Sequence, residues 1–301
     1  MGRLTAIVLG AAAGGGFPQW NCRCPVCALA WAGDPRVKPR TQASLAVTAD
    51  GAHWILLNAS PDLRTQLQAT PALQPRRGPR DSPIAAVVLT GAEIDQTLGL
   101  FTLRERQPFA LYATADTHGT VSANPMFNAL ADDVVRRKAV APGEKFALPG
   151  GIDAELFAVP GKVPLYLEGQ NPDLTREGEA NVGVELTAGG SRLLFVPGAA
   201  AMTPSLMARA SRADAIFFDG TLFADDEMIA THTGTKTGRR MGHMPIDGEG
   251  GSLTAFAGAS AERIYVHINN TNPILVDGSP ERRKVEAAGW KVGEDGMRIE
   301  L

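Results

Sequence analysis

Apolar positions along the chain fall into short continuous runs separated by polar turns, not into long periodic stripes. The runs over residues 4–9, 44–47, 53–58, 85–89, 110–113, 154–159, 182–187, 192–196, 215–218 and 263–267 read as β-strands. Several are apolar at nearly every position, which is the pattern of strands buried on both faces. Between them the spacing predicts helices over 94–104, 126–137, 204–210, 250–258 and 279–289; the last opens on Ser279-Pro280-Glu281 and stops at Gly289, as helix caps prefer. Adjacent strands in the first half suggest hairpins, and strands and helices alternate only later, so mixed sheets covered by helices are expected. An α/β, four-layer αββα sandwich built by residues 1–301 as one domain fits this order. The polar segments 74–83 and 170–179 read as surface loops within it, not as linkers.

Composition narrows the function. The 301 residues are 44% hydrophobic and 20% charged, with 29 basic against 32 acidic side chains and a net charge of −3. No basic face is available to neutralise phosphates or to meet anionic lipid, so nucleic acid and membrane are not expected partners. The opening run with Arg3 and Ala11-Ala12-Ala13 has a faint likeness to a signal peptide, but it reads better as a first strand running into a glycine loop. With no apolar run long enough to span a bilayer and no disulfide framework, a cytoplasmic protein is expected.

The cysteines change the picture most. Cys22, Cys24 and Cys27 stand in CxCxxC spacing, where a tight turn can aim three sulfurs at one soft metal, and structural zinc is the first reading. Three small buried hydrophobes are the bland alternative, although neighbouring Asn21 and Arg23 do not suit a core. A redox role for Cys24-Pro25-Val26-Cys27 is a third, weakened because no helix pattern is visible at that point. Tetrahedral zinc needs a fourth donor from far along the chain, and His243 and Asn270 are the candidates.

A second polar constellation gathers at strand ends. The run 85–89 leads directly into Thr90-Gly91-Ala92-Glu93-Ile94-Asp95-Gln96, Asp219 closes the run 215–218, His267 closes 263–267, and His243 lies in a glycine-rich loop between them. Asp95 alone could be no more than an acidic residue in a helix's first turn. Acidic groups and a histidine at the mouths of separate apolar strands look like a site.

These motifs resemble the metallo-β-lactamase superfamily and, more closely, the coenzyme PQQ biosynthesis protein B family. The resemblance runs through the glycine-rich opening 9–18, the cysteine motif 20–27, residues 89–100, Val159-Pro160-Gly161-Lys162, 218–223, 241–246 and the asparagine-rich segment 267–273. The superfamily's dinuclear HxHxDH motif would fall on Gly91, Glu93, Asp95 and Gln96, so only its aspartate is retained. Its bridging aspartate falls near Gly198, no histidine stands near 161–164, and His267 matches its last histidine. Two-zinc hydrolysis is therefore disfavoured. Glu93, Asp95, Asp219 and His267 remain as a ligand set for one Fe(II) or Mn(II) with open positions.

The resemblance implies a role in PQQ synthesis and a substrate derived from a ribosomal precursor peptide, a cross-linked glutamate–tyrosine unit whose tyrosyl ring must gain oxygens. An iron- and O2-dependent hydroxylase with structural zinc and catalytic Fe(II) is the leading reading, with Glu93 and Asp95 at the centre and His243 as acid or base. Other PQQ pathway proteins are possible partners. A non-catalytic carrier of PQQ or its precursor, or a metallohydrolase, are the alternatives. The loop 231–247 is expected to contact substrate, with Lys236, Arg239 and Arg240 holding its carboxylates, although these three could equally be a solvated basic tip.

Overall fold

In the computed structural model, which describes residues 2–169 and 173–301, the apolar runs become the interior strands of two seven-stranded sheets. Residues 170–172 of the expected 170–179 loop lie outside the described residues. The first sheet takes β1 (Thr5–Gly10), β2 (Ser44–Thr48), β3 (Trp54–Leu57), β4 (Ile84–Val88), β5 (Phe109–Ala113) and β6 (Val135–Ala139). The second takes β7 (Lys145–Leu148), β8 (Ile152–Ala158), β9 (Val182–Ala188), β10 (Ser191–Val196), β11 (Ala215–Asp219), β12 (Glu262–Val266) and β13 (Trp290–Val292), and β14 (Arg298–Glu300) returns to pair with β1. Each sheet is mixed: β14, β1, β2 and β3 run antiparallel and β3 to β6 parallel, while β7 to β10 run antiparallel and β10 to β13 parallel.

Alternate residues of one strand serve different cores, which is why the runs are continuously apolar. Ile55 and Leu57 of β3 face the inter-sheet core with Leu156, Val184, Phe195 and Phe217 of the second sheet. Trp54 and Leu56 face the other way and pack beneath Leu63 and Leu100. On the second sheet's outer face Leu194, Ile216 and Tyr265 pack with Cys27, Leu206 and Val285. These come from helices α1 (Pro25–Trp31), α5 (Pro204–Ala210) and α9 (Pro280–Ala287); Leu63 opens α2 (Leu63–Ala69). The result is the four-layer αββα sandwich.

The remaining helices are short: α3 (Ile94–Thr97), α4 (Ala115–Ser122), α6 (Glu227–Ala230), α7 (Gly238–Met241) and α8 (Ser252–Ala255). The helix expected over 94–104 is α3 followed by a 3-10 stretch, and that over 250–258 shrinks to α8. The helix expected over 126–137 is wrong: Pro125 opens a 3-10 turn and the chain then extends into β6, an edge strand whose Arg136 and Lys138 carry no apolar pattern. A helix does start at Cys24, contrary to expectation, with the Cys24 sulfur accepting from Cys27 N–H as its cap and Pro25 in the first turn. Among the described residues no helix is long and apolar enough to cross a membrane.

Candidate metal centres

β11 and β12 pair in parallel with Asp219 opposite Val266, so Asp219 and the next residue of β12's exit, His267, leave the sheet side by side. His267 has φ of 55°, a left-handed conformation unusual for a side-chain-bearing residue and one that clusters at functional sites. Asp95 reaches them from the first turn of α3, just past β4 of the other sheet. The site thus forms at the carboxyl ends of strands, where the connecting turns converge.

His267 Nε2 lies 2.9 Å from Asp95 Oδ2, and its Nδ1 lies 2.8 Å from the Thr221 hydroxyl. His243 Nδ1 lies 2.7 Å from Asp219 Oδ2, and the two imidazoles stack with centroids 5.1 Å apart. Asp219 also accepts from Ala199 N–H, Thr221 N–H and the Thr221 hydroxyl, at 3.0, 3.1 and 2.6 Å. Burial pushes the Asp219 carboxyl up, but the neighbouring imidazoles and these donors outweigh it and hold it below the usual range. Asp95 is likewise held low, burial being outweighed by His267. Burial alone would push His267 down, yet Asp95 and the other carboxylates raise it.

Asp219, His243 and His267 offer donor atoms all within 4.8 Å of one another. A cavity of about 820 Å³ opens over them, lined by Asp95, Thr221, His243 and His267 among others. Asp219 is not on its wall among the described residues; it is fully buried behind the rings. Two imidazoles with carboxylate at hand make a nitrogen and oxygen donor set suited to a divalent first-row metal with open positions.

Of the expected iron ligands, Asp219 and His267 belong to that cluster of donor atoms and Asp95 adjoins it. Asp95 and His267 meet directly, whereas Asp219 is engaged beneath them. Glu93 lines the cavity but accepts from Leu165 N–H at 3.0 Å and stands 3.5 Å from Lys162 Nζ, so its carboxylate is drawn to that wall; burial raises it above the ordinary range despite Lys162. His243, expected as acid or base or as a zinc ligand, stacks on His267 at the cavity wall. A Cβ built at Gly198 would stand 3.3 Å from His243 Cε1, so the ring packs against a glycine that leaves it room. Gln96, at another motif position, accepts from Glu93 N–H and serves the local turn.

Of the expected substrate cations, Lys236 lines the cavity, while Arg239 lines a separate cleft of about 620 Å³ and donates to the Glu249 carbonyl. Arg240, Lys236 and Lys162 all reach Glu168; burial opposes its ionisation, but Arg240 and Lys162 hold it down to about 2. Lys162 and Thr221 are the functional candidates that spacing did not single out, although both lie in quoted motifs.

The cysteines form the second centre. Their three sulfurs lie within 4.8 Å of one another, and Asn270 Nδ2 lies 3.1 Å from Cys22 Sγ and 3.3 Å from Cys27 Sγ. Asn270, not His243, is the residue that meets the sulfurs, with its Nδ2, which donates to them and is not itself a ligand; its backbone carbonyl oxygen, 3.6 Å from Cys24 Sγ and 3.8 Å from Cys27 Sγ, is the donor it could offer a metal. Cys24 N–H and Cys27 N–H each point at a sulfur, at 3.4 Å, and Trp31 Nε1 braces the turn by donating to the Cys22 carbonyl at 2.8 Å. Burial pushes the Cys24 thiol up to about 12, a cost that a cation among the sulfurs reverses, and this set fits a soft tetrahedral metal.

Fold and site together define a member of the beta-lactamase superfamily, whose domain matches residues 53–268. Within it, the chain belongs to the coenzyme PQQ synthesis protein B family. It is 57% identical over 299 residues to "Coenzyme PQQ synthesis protein B" of Methylobacterium nodulans, covering 99% of this chain and 100% of that one. It is 58% identical to the protein of the same name from Rhizobium meliloti, covering 99% and 98%. The crystal structure of Zn(2+)-bound PqqB from Methylobacterium extorquens superposes with a TM-score of 0.97 at 53% identity, covering 99% of this chain and 100% of that one. A diphosphatase from the PhnP family, at TM-score 0.67 and 20% identity over 99% of this chain and 97% of that one, shares the fold.

Proposed function

We propose that this protein acts in PQQ synthesis as an iron- and O2-dependent hydroxylase of the tyrosine ring in a peptide-derived, cross-linked glutamate–tyrosine precursor. The observation that carries the reading is the pair of stacked imidazoles, His243 and His267, with Asp95 on the second, at the wall of one large cavity. Two histidines and one carboxylate with open positions are the donor set of non-haem Fe(II) oxygenases. What bound Fe(II) supplies is the electron chemistry with O2 that an aromatic C–H otherwise resists. The balance requires one oxygen atom in the new C–OH, the other released as water, and two electrons from a soluble reductant of the ascorbate class.

The chain's own residues do the rest. His243, His267 and Asp95 would hold the metal, while Asp219 keeps the His243 ring in place through Nδ1. Lys162 and Lys236 put positive charge on the cavity wall for a substrate rich in carboxylates, and Glu93 beside Lys162 can take an ammonium group. Cys22, Cys24 and Cys27 would hold zinc as a structural centre, with an Asn270 oxygen as the fourth donor, a reading in keeping with a relative that binds zinc.

The test is anaerobic loading with Fe(II), then addition of the cross-linked glutamate–tyrosine amino acid, ascorbate and isotopically heavy O2, with mass detection. Incorporation of labelled oxygen into the ring is expected. Tight binding of the compound with no incorporation would overturn the hydroxylase and leave a carrier.

A further inference from the structure

Thr221 lies where the groups of the site meet, and the reading above gives it no part. Its buried hydroxyl oxygen is 2.6 Å from Asp219 Oδ1, 2.8 Å from His267 Nδ1, 3.0 Å from the His267 carbonyl oxygen and 3.1 Å from His243 Nδ1. A hydroxyl has one proton to donate and two lone pairs with which to accept. The shortest contact is to a fully buried carboxylate, and a charge-assisted bond there outweighs the neutral alternatives. With the proton given to Asp219, the oxygen's lone pairs face the ring nitrogens, and only an N–H meets them favourably. The opposite polarity, with the hydroxyl donating to His267 Nδ1, would forfeit the 2.6 Å bond.

We infer that Thr221 is a positioning residue: it fixes a proton on Nδ1 of His267 and, with Asp219, on Nδ1 of His243. Nε2 of each ring is then the nitrogen left for a metal; in His267 that atom stands 2.9 Å from Asp95 Oδ2 and, without a metal, carries a proton donated to that carboxylate, which a cation would displace. The His267 carbonyl oxygen can only accept, so it competes for the hydroxyl's one proton and, at 3.0 Å and uncharged, loses it to the carboxylate at 2.6 Å. The hydroxyl thus sets which nitrogens could hold a cation, as outer partners of metal-ligating histidines do. This deepens the iron-site reading and rests on it for its functional meaning.

The test uses the full-length protein with Thr221→Val, which keeps the branched shape and removes the hydroxyl, and Thr221→Ser, which keeps the hydroxyl. Long-range proton–nitrogen NMR of the metal-free protein reads the ring protons directly. A hydrogen-bonded proton on Nδ1 of His267 is expected in the wild type and the Ser variant, and its loss or rapid exchange in the Val variant. Anaerobic Fe(II) titration should show affinity about 10–100-fold weaker in Thr221→Val and restored to within about 3-fold in Thr221→Ser, with zinc at the cysteines unchanged. A wild-type His267 protonated on Nε2 alone, or a Val variant with wild-type ring signals and affinity, overturns the assignment. If the ring protons behave as expected but no Fe(II) binds even the wild type, the iron reading fails and the role of Thr221 stands.

Discussion

A side chain at position 198 would begin in contact with the His243 ring, at 3.3 Å, so that ring keeps its place because Gly198 has no Cβ. Gly198→Ala should displace the imidazole by a few tenths of an ångström and weaken Fe(II) binding about 10-fold, with little change in melting temperature, because no apolar packing is lost. Anaerobic metal titration beside a thermal melt checks this; equal affinity would mean that the ring has room to spare. His243→Ala should lose iron and keep the zinc of the cysteines, whereas loss of zinc from that variant would contradict the placement of Asn270 over the sulfurs. At this scale the sequence was legible wherever spacing or a strand end did the placing, as for Cys22, Cys24, Cys27, Asp95 and His267. The partnership of His243 with Asp219 was not legible, because a residue in α7's exit loop meets one in β11 only through tertiary folding.

Among the elements, every interior strand was visible and every edge strand was missed: β6 and β14 close the first sheet, β7 and β13 the second. Interior strands are buried on both faces and so leave continuous apolar runs. Edge strands are short and charged, as Val135–Ala139 with its two arginines and a lysine shows, which also protects them from pairing with other chains. Helix α1 was missed for a related reason: its cap is a cysteine sulfur, not a hydroxyl or carboxylate, so its start looked like part of the metal motif alone. Cap and metal donor are one atom, Cys24 Sγ. Cys24→Ser should therefore keep a cap of sorts yet lose the metal, and it is the metal that matters more. We expect zinc content to fall and stability to drop by about 3 kcal/mol or more, a melting temperature lower by roughly 5 °C or more in a chain of this size. Metal analysis with calorimetry decides; full zinc and an unchanged melt would remove the cysteines from any structural role.

Over the whole molecule the two centres are tied by one segment, since His267 serves one and Asn270 the other. Asn269 N–H donates to the Thr221 carbonyl, Asn272 Nδ2 to the Gly220 carbonyl, and the Thr271 hydroxyl to Glu227 Oε1 in α6 at 2.6 Å. Glu227 Oε2 accepts from Phe223 N–H at 2.7 Å. Burial nonetheless raises this carboxyl to about 7 from an ordinary 4.5, because these bonds repay only part of the desolvation. A folded value above the unfolded one means that the native state holds a proton the unfolded chain has released. The stabilisation from Glu227 is then complete below about pH 4.5, declines as pH rises and is gone above about pH 7, amounting to at most about 3 kcal/mol. Glu227→Gln cannot ionise, so its stability relative to wild type should improve steadily between roughly pH 5 and pH 8. Urea unfolding of both proteins across that range measures the difference, and a difference that does not change with pH would place the Glu227 proton elsewhere. Because Glu227 holds Thr271, next to Asn270 in the segment that serves both centres, a loosened segment above neutral pH should show first as faster backbone hydrogen exchange at residues 268–272, before any change at the strands of the inter-sheet core.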